Sequence, residues 1–469
     1  MLALALALTA CTSIPEPAAV SLPAPPPQTA STTPAQREHA RIVAAYGGVY
    51  DDPKLEAMVN ETVDRLVKAS ERPDLKYRAV ILNSPAINAF ALPNGQIYVT
   101  RGLLALANDR AELASVLAHE MSHVIANHAQ IRENQARQTA MIATIANDVL
   151  QDPDLGALAL AKSKLALASF SRAQEFEADG IGVGIAARAG YDPYGAARFL
   201  NDMQRFAELK TGGDTDPRAT DFLATHPATP ERVQNAQANA RQFGSPGTAS
   251  RERAEYLARI DGMVYGEDPS EGFVRGHRFL HPKLGFTFLA PAGFTLDNTS
   301  QAVLGIKEGG AEALRFDVVQ VPAKQSLRDY LTSGWMENVD PKSIEQFTVN
   351  GFPAAGASAK GSEWSFRLYA VRFGSDVYRF IFAAKERSRA TDKAFRESLN
   401  SFRRMTLQEA RNARPLRIKV VTAGIGATID TMARRMATPD KKRERFLVLN
   451  GLNTGESLAP GAQVKIVVE

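Results

Sequence analysis

Five consecutive residues constrain this chain more than any others: His119-Glu120-Met121-Ser122-His123. With seven histidines in 469 residues, chance rarely produces an H-E-x-x-H run. The surrounding pattern predicts a helix. Asp109 is placed to cap its start, with Glu112 three residues on as in a capping box. Leu113, Leu117, Met121 and Val124 recur at helical spacing as the buried stripe. His119 and His123 lie off that stripe, one turn apart on one face, so both imidazoles can reach one ion. Glu120 is rotated by about 100° from His119, which lets it act on water at that ion without ligating it. The alternative reading of the two histidines is a solvated face.

A second helical pattern contains SRAQEFEAD at Ser171–Asp179. Glu175 and Asp179 share a face at i and i+4; taken alone, they would read as a charged surface. Ala178, Gly180, Gly182 and Gly184 make this helix thin, which suggests close packing against another helix, and Gly190 with Pro193 stops it. His128 reads as packing or surface, on a different part of the first helix. Residues 134–170, rich in Ala and Leu with a break at Asp152-Pro153-Asp154, read as a helical hairpin or as a lid.

Composition narrows the chemistry. One cysteine excludes an intramolecular disulfide and a cysteine-based zinc site. A formal charge of +4 is too small for this length to imply nucleic acid as a partner. From Lys385 to Arg445 basic residues exceed acidic ones, as on a solvated face or a patch that docks to an anionic surface.

Residues 1–10 read as an apolar signal segment too short to span a bilayer. Leu8-Thr9-Ala10-Cys11 resembles a bacterial lipobox, so Cys11 is the expected lipidation site and the membrane partner is reached by a lipid anchor. The basic n-region is absent, as a start codon placed too late would leave it. Thr12, where no Asp stands, points to the outer membrane and hence to a periplasmic protein. The Pro-rich stretch 11–36 reads as an extended tether.

The fold class expected is α+β multidomain. Residues 37–243 are mainly helical with a small sheet, from strands at Tyr77–Leu82 and Gln96–Thr100. Residues 244–275 read as a linker. Strand signals dominate residues 276–406, with helical stretches, as in an α+β sandwich-like domain. LGFTFLAPAGFTL, VYRFIFAA and AFRESLNSFR there resemble a PsbP/Mog-type domain. Residues 414–469 make a β-α-α-β unit whose ending, LNGLNTGESLAPGAQVKIV, resembles a LysM module. That resemblance implies peptidoglycan as a possible partner of residues 416–469; the alternative is a structural cap.

HEMSHVIANH, EFEAD and THPATPER at Thr225–Arg232, together with NAFALPNGQIYVTRGLL at Asn88–Leu104, resemble the HtpX/BepA-like zinc metallopeptidases, gluzincins of metallopeptidase family 48. The resemblance implies one zinc per chain, held by His119, His123 and Glu175, with Glu120 catalytic and Asp179 supporting a ligand histidine, His119 being the expected one. Asn88, Ala89 and Phe90, with Gln96–Thr100, are candidate edge strands to which an extended peptide could add. His226 has two competing catalytic roles, hydrogen-bonding an oxyanion or occupying zinc's fourth position; a structural contact is the third reading. The function implied is a zinc endopeptidase acting on unfolded or misassembled envelope proteins. A chaperone or assembly factor that uses the fold for binding, and a peptidoglycan-associated protein, are the alternatives.

Overall fold

The computed structural model describes residues 33–148, 170–211, 226–299, 302–438 and 440–469. Cys11, most of the Pro-rich tether and the Asp152–Asp154 break lie outside the described residues. The chain divides into two units, 1–41 and 42–469. Described residues of the first unit begin helix α1 (Pro34–Ala45), so the last three residues of the expected tether, 34–36, are helical.

In the second unit, α2 (Pro53–Ala69) is capped by Asp52, whose side chain accepts from the Lys54 and Leu55 amides, with Pro53 at the first helical position. Strands β1 (Arg78–Leu82), β2 (Ala89–Ala91) and β3 (Gln96–Thr100) form a sheet in the order β1-β3-β2. Gln96–Thr100 is therefore not an edge, contrary to expectation: β3 pairs in parallel with β1 and antiparallel with β2. The edges are β1 and β2, and the short Pro93-Asn94-Gly95 turn folds β3 back from β2 to lie between them.

Helix α3 (Arg101–Leu106) leads into α4 (Arg110–Ile125), which carries the H-E-x-x-H run. Asp109 caps α4 by accepting from the Glu112 amide at 2.9 Å. The expected capping box does not close on the cap itself: Glu112 accepts from the Asn108 amide, one residue earlier. Nor is α4 amphipathic. Every residue from Arg110 to His123 is buried, because α2, β2, and the helices α6 (Arg172–Arg188) and α7 (Gly195–Thr211) surround it. Helix α5 (His128–Asp148) follows α4, and α8 (Pro230–Arg241) follows α7.

Residues 244–275 are not a free linker. In α9 (Arg253–Ile260), Tyr256, Leu257 and Ile260 are fully buried in the same core as α2 and α4, and the Tyr256 hydroxyl donates to the Leu104 carbonyl at 2.7 Å. Strand β4 (Val264–Tyr265) pairs with a C-terminal strand, and β5 (Phe273–Arg275) already belongs to the next sheet.

The middle of the chain holds two sheets. Strands β6 (Arg278–His281) and β7 (Phe286–Leu289) join β5 in a four-stranded sheet that β15 (Arg403–Arg404) completes. The seven-stranded sheet comprises β8 (Phe294–Asn298), β9 (Val303–Lys307), β10 (Glu312–Val319), β11 (Glu345–Val349), β12 (Phe352–Lys360), β13 (Ser365–Phe373) and β14 (Asp376–Ala384), in the order β11-β12-β13-β14-β10-β9-β8. An aromatic core that includes Phe286, Phe288, Phe316, Phe380 and Phe402 joins the two sheets. Short α10 (Leu327–Leu331) covers one side of the larger sheet, while α11 (Arg389–Asn400) adds Phe395 and Leu399 to the aromatic core. Helix α12 (Leu407–Asn412) follows β15.

The C-terminal residues form β16 (Leu416–Thr422), α13 (Ile429–Arg434), α14 (Lys442–Leu449) and β17 (Gln463–Val468), with β16 and β17 antiparallel. They have no core of their own. Ile418, Phe446, Ile466 and Val467 belong to the cluster that also holds Leu55, Leu104 and Leu117. One polar contact fastens this junction. Lys465, fully buried on β17, donates to the carbonyls of Ala105, Leu106 and Ala107 at 2.8, 3.1 and 2.8 Å. The ammonium thus caps the carbonyl end of α3, where a positive charge is favoured, directly before the start of α4. Among the described residues, no helix is long and apolar enough to cross a membrane. Replacing Lys465 with Met should leave those buried carbonyls short of a donor and lower stability by about 1–3 kcal/mol in urea unfolding; unchanged stability would show that the junction is held by apolar packing alone.

Candidate metal centre

The site is assembled where α4 and α6 touch. Ser171 and Gln174 close a capping box at the start of α6, which sets Glu175 in its first turn. Gly182, two turns on, permits the contact: a Cβ there would lie 3.0 Å from the His119 amide nitrogen and 3.1 Å from its Cα. The close packing expected of the glycine-rich helix is realised at Gly182, whereas Gly180 and Gly184 face side chains of Asn239 and of Arg188 and Phe243.

Four buried side chains converge there. His119 Nε2 is 3.1 Å from His123 Nε2 and 3.3 Å from His226 Nδ1. Glu175 Oε1 lies 2.9 Å from His226 Nδ1 and 3.4 Å from His123 Nε2, and its Oε2 is 3.6 Å from His119 Nε2. These separations fit one small cation. A tetrahedron of nitrogen donors about 2.0–2.1 Å from its centre has edges of roughly 3.4 Å. The group His119, His123, Glu175 and His226 could therefore hold a metal ion.

Asp179 stands behind the donors. Its Oδ1 is 2.9 Å from His119 Nδ1, on the ring edge away from the cluster. Arg232, in the first turn of α8 and 3% exposed, grips Asp179 with two bonds of 2.7 Å and reaches Glu175 Oε2 at 2.7 Å. Thr229 caps α8 and Pro230 opens it, which holds that arginine in place. Arg232 lies within the THPATPER segment, but an arginine beside two acidic residues fifty positions upstream leaves no mark in sequence.

Burial and charge act on each group differently. Burial disfavours a charged His119, yet the Asp179 carboxylate outweighs it and raises the ring above its ordinary value. Burial dominates at His123 and lowers it to about 3, which keeps its ring neutral. Glu175 is buried too, but bonds to His123 and His226 hold it well below the usual carboxylate range. Burial raises Glu120. Its Oε1 is buried without a hydrogen-bond partner, 3.8 Å from His226 Nε2.

Glu120, His123 and His226 line a cleft of about 530 Å³ whose other walls include Tyr46, Phe90, Arg132 and Phe170. Phe170 stacks on the His123 ring at 4.0 Å, and the Arg132 guanidinium sits 4.3 Å from the Phe170 ring centre. Asn88 and Phe90 both line the cleft, Phe90 from the edge strand β2 and Asn88 with its side chain donating to the Tyr46 hydroxyl at 2.8 Å, whereas Ala89 is buried and does not. Of the two readings of His128, packing and surface, the structure shows packing. Helix α4 stops at Ile125, and Asn127 turns the chain with a φ of 54°, so His128 starts a new helix and packs its ring on His123, 1% exposed. Asparagine in a left-handed position after a helix is the signal that marks this turn.

A model of Peptidase family M48 matches residues 53–240. Those residues are a family M48 peptidase domain. All four donors, Glu120, Asp179 and Arg232 fall within it. The M48 domain is that of a zinc-dependent metallopeptidase, and the two-nitrogen, carboxylate and third imidazole donor set suits zinc. The beta-barrel assembly-enhancing protease of Yersinia pestis is 31% identical over 49% of this chain and 48% of its own length. The mitochondrial metalloendopeptidase OMA1 of Schizosaccharomyces pombe is 32% identical over 38% of this chain and 51% of its own length. The chain thus spans about half the length of the curated relatives it matches. The solution structure of cyanobacterial PsbP from Synechocystis sp. PCC 6803 aligns with 28% of this chain at 15% identity and a TM-score of 0.22, too low to say anything about the fold.

Arg232→Met should leave Asp179 and part of Glu175 without their cation. Removing one member of such a buried pair costs about 3–5 kcal/mol. Thermal melts of the metal-free protein should register that loss, and an unchanged melting temperature would show that the network is not structural.

Proposed function

We propose that this chain is a zinc endopeptidase of the bacterial envelope that cleaves misfolded or stalled outer-membrane proteins. One observation carries the reading: the buried Glu120 Oε1, without a hydrogen-bond partner, sits beside the four-donor cluster, in a cleft walled by an edge strand. His119, His123 and Glu175 are the ligands. Bound zinc supplies a Lewis acid that polarises the scissile carbonyl and acidifies the attacking water. Glu120 takes the proton from that water and passes it to the leaving amine, a role suited to a carboxylate whose proton affinity is raised by burial. Asp179 fixes the tautomer of His119. An extended substrate adds to β2 at Asn88–Phe90 by main-chain hydrogen bonds.

His226 acts as a restraint. Its Nδ1 stands at ligand spacing from His119 and Glu175, which favours occupation of the fourth position until substrate displaces it over oxyanion binding. The name of the Yersinia pestis relative, a beta-barrel assembly-enhancing protease, supports β-barrel proteins as the substrate class. Residues 416–469 are a LysM-like unit that contacts peptidoglycan through its loops while its helices and strands pack on the M48 domain.

Glu120→Gln and His226→Ala separate the roles in one assay on an unfolded protein. Glu120→Gln should keep one zinc per chain and lose 10²–10⁴-fold in turnover, as loss of a general base does. His226→Ala should keep zinc and raise basal cleavage; a fall in kcat would favour oxyanion binding, and unchanged kinetics would reject both roles. Turnover by Glu120→Gln equal to wild type would refute the peptidase mechanism, and retained function in cells without turnover would favour a binding role.

Localisation rests on Cys11, lipidated and anchored in the outer membrane, with residues 12–33 as the tether. Cys11→Ser should move the protein into the soluble periplasmic fraction, since each buried acyl CH₂ contributes about 0.8 kcal/mol to anchoring. Flotation of that variant with membranes would place the anchor elsewhere.

A further inference from the structure

The ring of His128 meets the outer edge of a proposed zinc ligand. Its Nδ1 lies 2.9 Å from His123 Nδ1, and its Nε2 lies 3.2 Å from a Glu177 carboxylate oxygen. We propose that His128 is a positioning residue for His123, and that His123, His128 and Glu177 form a hydrogen-bonded chain which fixes the ligand ring in one tautomer and one orientation. The proposal rests on the zinc reading above.

Hydrogen bookkeeping leaves one arrangement. A neutral imidazole has one N–H and one acceptor nitrogen. His123 turns Nε2 toward the other donors, so a metal-binding lone pair there requires the hydrogen on Nδ1. That Nδ1–H points at His128 Nδ1, which must accept. The hydrogen of His128 is then on Nε2, where it meets Glu177, and an ionised carboxylate only accepts. Every polar atom in the chain is paired with the right partner, and reversing any ring would oppose two acceptors or two donors.

The local structure is built to deliver this ring. Ending α4 at Ile125 and turning at Asn127 folds His128 back beneath His123, where it is buried. The His128 carbonyl accepts from the Gln174 side chain at 3.4 Å, one residue before the ligand Glu175. His128 therefore ties the end of the zinc helix to the first turn of α6. With Asp179 at His119, both ligand imidazoles have their outer nitrogen held. The contacts are directional, so an apolar side chain of similar size would fill the space without orienting the ring. His128 is not itself a ligand, since its Nδ1 is engaged by His123 on the side away from the donor cluster.

Zinc affinity measured by chelator competition, and the visible spectrum of the cobalt-substituted protein, test the proposal on the full chain. Partners of ligand histidines typically contribute 10–100-fold to metal affinity. His128→Leu should lose zinc affinity by that factor and shift the cobalt spectrum, while the melting temperature of the metal-free protein stays near that of wild type. His128→Asn, whose amide oxygen can stand near the position of Nδ1, should restore most of the affinity. Zinc affinity of His128→Leu within about twofold of wild type, or His128→Asn as weak as His128→Leu, would overturn the assignment. Should His128→Leu fail to fold, Glu177→Ala decides from the half-exposed end: it should weaken zinc binding measurably, and an unchanged affinity and cobalt spectrum would overturn the chain. His123→Ala is the control for the underlying reading, because zinc binding by that variant equal to wild type would sink the metal site itself rather than the role of His128.

Discussion

The close approach of α4 and α6 at Gly182 is the constraint on which the rest depends. With no Cβ at that position, the backbone of one helix lies against that of the other beside His119. Only at that separation do histidines on one helix and a carboxylate on the next share a space as small as a metal coordination sphere. Gly195 serves the same end on the other flank, where a Cβ would lie 2.5 Å from the Ala111 carbonyl at the start of α4. Helix α4 is thus buried on all sides from Arg110 to His123, which is unusual for a segment that carries two histidines and two glutamates.

Burying so many ionisable groups demands compensation. Arg232 offsets Asp179 and Glu175, and Arg198 does the same for Asp109, Asp192 and Glu112 at the start of α4. Such pairs add less to stability than they do to orientation, because desolvation consumes most of their attraction. Their value here is geometric. Asp179 is held by two bonds from a planar guanidinium, so it presents its oxygen to His119 in one direction. Glu120 Oε1 makes no hydrogen bond within this network and lies 3.8 Å from His226 Nε2, which leaves that oxygen open for the proposed role as base.

The C-terminal residues join this architecture through the same core. Apolar side chains of α14, β16 and β17 pack with those of α2 and α4, and Lys465 reaches the carbonyl end of α3. The β-α-α-β unit therefore bears on where the zinc helix begins. Separation in sequence, more than 350 positions from Ala105 to Lys465, does not separate the two in space.

The sequence by itself determined the elements that depend on local rules. The spacing of His119 and His123, the thin glycine-bearing helix of Glu175 and Asp179, the cap at Asp109 and the β-α-α-β order of the last residues all follow from helical periodicity and turn chemistry within a dozen residues. Tertiary structure alone decided the rest. Which strand became the sheet edge depended on β1 and β2 flanking β3, and a stretch read as a linker became core because Tyr256 and Leu257 found space between elements distant in sequence. His128, left open between packing and surface, became a neighbour of the site through a single left-handed residue, Asn127. Arg232 entered the cluster because its helix folds back more than fifty residues beyond Glu175, and the same fold brings His226, already a candidate from the sequence, to ligand spacing. Periodicity specifies the face a side chain occupies, but the partner it meets there is set by packing among segments whose separation along the chain carries no local signal.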